Sequence, residues 1–261
     1  MRMSGKVAVV TGGGSGIGAA LARRFAADGA AAVVVVDRAA DAAAAVAREV
    51  GGTAEAVDVS DAGAVAGLVE RTLAVHGRID LFCSNAGITT GLGIEDADDL
   101  WHRAFEINLM AHVYAARAVL PSMLERGSGY LLNTASAAGL LTSPGDAPYA
   151  VTKHGAVALA EWLSVTYGDR GIGVSVLCPL GVATPLLMDP LAAGEPGAQA
   201  VAASGEILTP ERVADVVADA LVEERFLIVP HPEVGTFWAQ KASDPDRWLA
   251  GVRRLVVRQS S

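Results

Sequence analysis

Tyr149 and Lys153 are four residues apart, so on a helix they share one face, about a turn from each other. Ser136 lies thirteen residues upstream, just past the apolar run Tyr130-Leu131-Leu132. A free tyrosine, with a pKa of about 10, is a poor base at neutral pH. A neighbouring ammonium favours the phenolate and lowers that value. A serine hydroxyl beside it could hold a substrate oxygen. Such a set suits interconversion of an alcohol and a carbonyl, which needs a tunable proton donor and acceptor. A Tyr and a Lys at this spacing also occur on helices with no chemistry, so the rest of the chain must supply the context.

That context begins at the N-terminus. Lys6-Val7-Ala8-Val9-Val10 is a β-rich apolar run. It leads into Thr11-Gly12-Gly13-Gly14-Ser15-Gly16-Ile17-Gly18, and Ala19 to Phe25 reads as a helix. A strand, a glycine turn and a helix N-terminus form an anion site, because free N–H groups and the helix dipole face a phosphate. The Gly12, Gly16, Gly18 spacing is a variant of the commoner dinucleotide fingerprint, and its strand–turn–helix setting is what the motif requires. A second apolar run, Ala31 to Val36, ends in Asp37. A carboxylate there meets adenosine ribose hydroxyls and repels a 2′-phosphate. Arg38 argues the other way, since Arg can bind that phosphate. Position 15 is Ser and not a basic residue, and Asp37 is weighed above Arg38, which favours NAD over NADP.

Together these residues resemble the short-chain dehydrogenase/reductase family, over about residues 5–230. The glycine loop matches Thr11 to Gly18. The adenine-contacting acid after the third strand matches Asp58, followed by Val59; Asp58 could also cap the helix starting near Ser60-Asp61. The Asn-Ala-Gly turn after the fourth strand matches Asn85-Ala86-Gly87. The helix asparagine matches Asn108, a mediocre helix former in an otherwise good helix. The catalytic trio matches Ser136, Tyr149 and Lys153. The resemblance implies that Tyr149 is the acid and base, Ser136 binds the substrate oxygen, and Lys153 binds the nicotinamide ribose and lowers the Tyr149 pKa. Asn108 would hold a relay water. It further implies that Pro179, Val182 and Thr184 line the nicotinamide carboxamide. One position departs from the pattern: Leu180 stands where the family usually has Gly. Leucine does not readily take φ > 0, so Gly181 is expected to absorb the turn, or Leu180 to face the substrate.

Composition agrees with an α/β enzyme. The chain has 261 residues, is 52% hydrophobic and carries a net charge of −9. The charge argues against a nucleic-acid partner. No stretch reaches the roughly twenty apolar residues of a membrane span, and the short N-terminal lead reads as no signal peptide. Cys83 and Cys178 read as buried thiols in a reducing, cytoplasmic setting, with no metal spacing. The Ala-rich stretch 39–47 reads as a helix. Apolar consecutive residues such as Val33 to Val36 suit parallel strands covered on both faces.

Alternating strands and helices predict a parallel sheet with right-handed crossovers. The expectation is one Rossmann-type, doubly wound domain over 1–261, with seven strands in the order 3-2-1-4-5-6-7. Segment 184–210, with an apolar start and several glycines, reads as a flexible substrate lid. The tail over 231–261, with Phe237, Trp238 and Trp248, reads as helices on the pocket rim or on another subunit. Leu140, Leu141, Leu186, Leu187 and Met188 are the expected substrate walls, suiting an apolar secondary alcohol or ketone. By resemblance the chain forms a homo-oligomer, a tetramer or dimer. An NADPH-dependent reductase of the 3-ketoacyl type and a non-catalytic dinucleotide-binding regulator are the alternatives.

Overall fold

A computed structural model describes residues 1–259 apart from 92 and 96. The first half alternates β1 (Val7–Thr11), α1 (Gly16–Ala27), β2 (Ala32–Asp37), α2 (Ala40–Val50), β3 (Thr53–Ala56), α3 (Ala62–His76) and β4 (Leu81–Ser84). Then come α4 (Asp98–Phe105), α5 (Ala111–Arg126), β5 (Gly129–Thr134), α6 (Ala147–Tyr167) and β6 (Ile172–Leu177). The chain closes with α7 (Pro185–Ala192), α8 (Pro196–Ser204), α9 (Pro210–Glu223), β7 (Leu227–Ile228), α10 (Pro232–Ser243) and α11 (Pro245–Gln259). No helix among the described residues is long and apolar enough to cross a membrane.

The seven strands form one sheet in the order β3-β2-β1-β4-β5-β6-β7, parallel throughout. This is the order expected from the sequence. Helices cover both faces, which explains the apolar runs. Along β1 and β2, Val9, Val34 and Val36 belong to the core under α3, α5 and α6. Ala8, Val10, Val33 and Val35 belong to the opposite core, with Leu21 and Phe25 of α1. Each fully buried Leu or Phe contributes about 1.5–3 kcal/mol. Order reverses between β1 and β4, and their carboxyl ends open a crevice there, the usual place for a ligand in such sheets.

Two local features differ from the simplest reading. The chain from Asp98 to Arg126 is not one regular helix: Glu106–Met110 form a π turn centred on Asn108. Segment 184–210, expected as a flexible lid, folds as two helices, α7 and α8. Pro185 and Pro196 occupy their first turns, where a fixed φ favours helix initiation.

Candidate active site

Three segments bring the reactive side chains together. Ser136 follows β5 and caps a 3-10 turn at Ala137–Gly139, its Oγ accepting from Ala138 N at 3.1 Å. Tyr149 and Lys153 face the same way from α6, with Lys153 Nζ 5.6 Å from the Tyr149 ring centroid. Lys153 is buried and donates to Thr134 O at 3.0 Å. Burial holds its ammonium down at about 8. Burial likewise pushes the Tyr149 hydroxyl up to about 12, against the opposing pull of its hydrogen bond with Ser136. The sequence suggests that Lys153 lowers the Tyr149 pKa; in the protein alone desolvation decides the sign, because the neutral phenol is the form a dry site favours.

The glycine loop forms the other end of the same crevice. Gly16 has φ +51, and a Cβ there would lie 2.8 Å from Thr184 Cγ2. A Cβ on Gly18 would lie 2.1 Å from Gly12 O, so α1 can approach the turn only without one. The first turn of α1 carries no acidic side chain, leaving its N–H groups and positive dipole end to an anion. Asp37, at the end of β2, accepts from Gly14 N at 3.1 Å and Ala39 N at 3.0 Å. Its carboxylate therefore braces the glycine loop as well as lining the crevice. Asp58 accepts from Ser60 Oγ and N, which hold its carboxyl below the usual range. Asp61, not Asp58, caps α3.

The rear wall is built by hydrogen bonds from distant segments. Thr11 Oγ1 accepts from Asn85 N at 2.9 Å and Ala86 N at 3.2 Å, fixing the Asn85-Ala86-Gly87 turn. Asn108 is fully buried. Its Oδ1 accepts from Ile88 N at 2.8 Å, and its Nδ2 donates to Ile88 O at 2.9 Å and Thr152 Oγ1 at 3.3 Å. The side chain thus anchors the loop after β4 to α6, and holding that loop is what it visibly does. Asp146 caps α6 through Tyr149 N at 3.1 Å and accepts from Thr90 N and Gly91 N at 2.7 and 3.0 Å. Thr11, read in the sequence only as the start of the glycine loop, and Asp146, which the sequence does not single out, build the site through partners about 75 and 55 positions away.

One cavity of about 430 Å³ joins these parts. Its walls include Gly12, Ser15, Gly16, Ile17, Asp37, Arg38, Asp58, Val59, Asn85, Ala86 and Gly87. Ser136, Tyr149, Lys153, Pro179, Val182, Thr184, Leu186 and Leu187 complete the set of expected residues on it. Gly18 and Asn108 stand behind the wall. Leu140 and Leu141 lie elsewhere: both are buried in the core, and their carbonyls accept from Lys241 Nζ at 2.8 and 2.6 Å. The 3-10 turn after Ser136 carries the chain away from the cavity. Met188, expected beside Leu187, is 40% exposed and off the cavity wall. Ile88, Leu180 and Pro185 take the apolar places instead. Neither Leu180 nor Gly181 has a positive φ, so the Leu180 departure needs no left-handed turn.

The sequence profile described as short chain dehydrogenase matches residues 6–194. A 1-deoxy-11-beta-hydroxypentalenate dehydrogenase of Streptomyces avermitilis is 34% identical, covering 96% of this chain and 93% of its own. Oxidoreductase UcpA of Escherichia coli strain K12 is 31% identical, over 98% of this chain and 94% of its own. A crystal structure of a short chain dehydrogenase/reductase from Burkholderia phymatum in complex with NAD superposes with a TM-score of 0.86 at 30% identity, covering 94% of this chain and 96% of that one. With its sheet order, its glycine loop and its Ser136, Tyr149 and Lys153 on one cavity, the chain belongs to the short chain dehydrogenase family and is an oxidoreductase.

Proposed function

We propose that this oxidoreductase interconverts an apolar secondary alcohol and the corresponding ketone with NAD(H). One observation carries the reading: Ser136, Tyr149 and Lys153 share a cavity with the glycine loop and Asp37. The residues fit a dinucleotide. The N-terminus of α1 and its glycine-rich turn would cradle the pyrophosphate, Asp37 the adenosine ribose, and Val182 and Thr184 the nicotinamide end. The bound dinucleotide supplies the hydride donor or acceptor and, when oxidised, a positive charge near the phenol.

The chain's own groups manage the proton. Ser136 Oγ holds the substrate oxygen. Tyr149 keeps its proton at neutral pH, with its pKa at about 12, and in this form it donates to a ketone oxygen. On alcohol oxidation Tyr149 acts as the phenolate. It first gives its own proton up toward solvent, a step favoured by the Lys153 ammonium and by the positive charge of the oxidised nicotinamide, and then takes up the hydroxyl proton. Such a group contributes typically 10²–10⁴-fold. Lys153, buried against Thr134 O, supplies an ammonium within reach of the phenol. The proton relay that the resemblance implies would pass behind Lys153, where Asn108 and its π turn hold the loop after β4 against α6. Asp37 disfavours a 2′-phosphate, which supports NAD. Leu180, Leu186, Leu187 and Ile88 give the substrate end its apolar walls, with α7 and α8 as a lid. The named hydroxypentalenate relative agrees with an alcohol of this class. A panel of apolar secondary alcohols and ketones, assayed with NAD(H) and NADP(H) by nicotinamide absorbance, tests the reading. Turnover with NAD(H) is expected; a preference for NADP(H) would replace it with the reductase alternative.

A further inference from the structure

The buried imidazole of His231 serves no step of that chemistry, yet it is aimed at the loop beside the cofactor. His231 follows β7, immediately before α10, and is 2% exposed. Its Nδ1 lies 3.1 Å from Leu180 N, and its Nε2 lies 3.0 Å from Gly181 O. The partners fix the tautomer. A main-chain N–H can only donate, so Nδ1 is bare; a carbonyl can only accept, so Nε2 carries the proton. One rigid ring therefore sets the span between the N–H of Leu180 and the C=O of Gly181.

The same short stretch is tied on its other side. Leu208 N donates to Gly181 O at 3.0 Å, and Ala183 N donates to Leu208 O at 2.9 Å. The Leu180 side chain lies against Gly205 at the end of α8, where a Cβ would meet its Cδ2 at 3.2 Å. Val182 and Thr184, the next cavity-lining residues, are held downstream of these ties.

We propose that His231 is a positioning residue for the nicotinamide end of the cofactor site. It clamps Leu180–Gly181 so that Val182 and Thr184 present their groups to the cavity, and it gives this loop a fixed path without the glycine that the sequence lacks at 180. The inference rests on the NAD reading above.

The test compares NADH with ADP-ribose, which has the adenosine and pyrophosphate but no nicotinamide, by calorimetric titration of the full chain. His231→Ala leaves Leu180 N without its partner and Gly181 O with Leu208 N alone, which frees the loop, and it should weaken NADH at least about tenfold. ADP-ribose affinity should stay within about twofold. His231→Gln, whose planar amide offers one acceptor and one donor, should restore NADH binding to within about threefold. His231→Leu fills the space without hydrogen bonds and should behave like His231→Ala, which decides the matter if the alanine variant melts. Equal loss of both ligands, or no loss of either, in a folded variant overturns the positioning role, as does a failure of His231→Gln to rescue. A wild-type chain that binds neither ligand overturns the NAD reading itself.

Discussion

Replacing Lys153 by methionine should make the protein more stable while removing its activity. Burial brings the Lys153 pKa from the ordinary 10.5 to about 8. At about 1.36 kcal/mol per unit, keeping the ammonium in the folded state costs about 3 kcal/mol at pH 7. Methionine keeps the length and packing of the stem without the charge. Loss of the 3.0 Å bond to Thr134 O offsets about 1–2 kcal/mol of the gain. The net expectation is a variant about 1–2 kcal/mol more stable at pH 7, or about 2–6 °C in melting temperature for a chain of this size. The sign with pH follows from proton counts. The folded pKa lies below the unfolded one, so between about pH 8 and 10.5 the unfolded chain binds more protons, and wild-type stability rises with pH. At pH 9.5 the penalty has fallen to about 1 kcal/mol, and the advantage of the variant should vanish. The raised Tyr149 acts oppositely, between its ordinary 10 and about 12, outside that comparison. Urea unfolding of both proteins at pH 7 and 9.5 measures the difference. A variant less stable than wild type at pH 7, or a gap that does not change with pH, would refute the reasoning.

Asp37→Ala should lower kcat/KM for NAD about tenfold, roughly the value of a hydrogen bond involving a charged group, and narrow the preference over NADP. Steady-state kinetics with both cofactors reads this, and equal values in the wild type would sink the NAD assignment. Leu187→Ala, with Leu186→Ala, should raise KM several-fold for bulky apolar substrates and little for small ones, at about 0.8 kcal/mol for each buried methylene that loses its contact. Hydrogen exchange over 186–205 should also slow when NADH and a substrate analogue are added together; unchanged exchange and unchanged size selectivity would leave α7 and α8 as a plain connection.

Much of this architecture was legible because local chemistry and global position coincide. The apolar strands, the glycine turn and the acid closing β2 each carry their reason within a few residues. Tyr149 and Lys153 announce themselves by helical spacing. What escaped depends on contacts between distant segments. Thr11, Asp146 and His231 look ordinary in the chain and acquire their roles only when β4, α6 and the loop after β6 are brought beside them. Leu140 and Leu141 looked like pocket walls because they follow Ser136, but the 3-10 turn sends them into the core. Glycines at 194, 197 and 205 suggested flexibility, whereas two well-placed prolines and several alanines made helices. The phenol–ammonium pair is visible from helical spacing, but the burial that pushes the Tyr149 hydroxyl up in the protein alone is not, since spacing reports a neighbouring charge and not the dryness of the site.

The central claim is that Tyr149 moves the substrate proton, and Tyr149→Phe tests it most directly. The measurement is kcat on the best alcohol–ketone pair, with NADH binding determined on the same preparation. Loss of at least about 100-fold in kcat, with NADH affinity within about threefold of wild type, is the expected result. A variant that keeps more than about a tenth of wild-type kcat would contradict it.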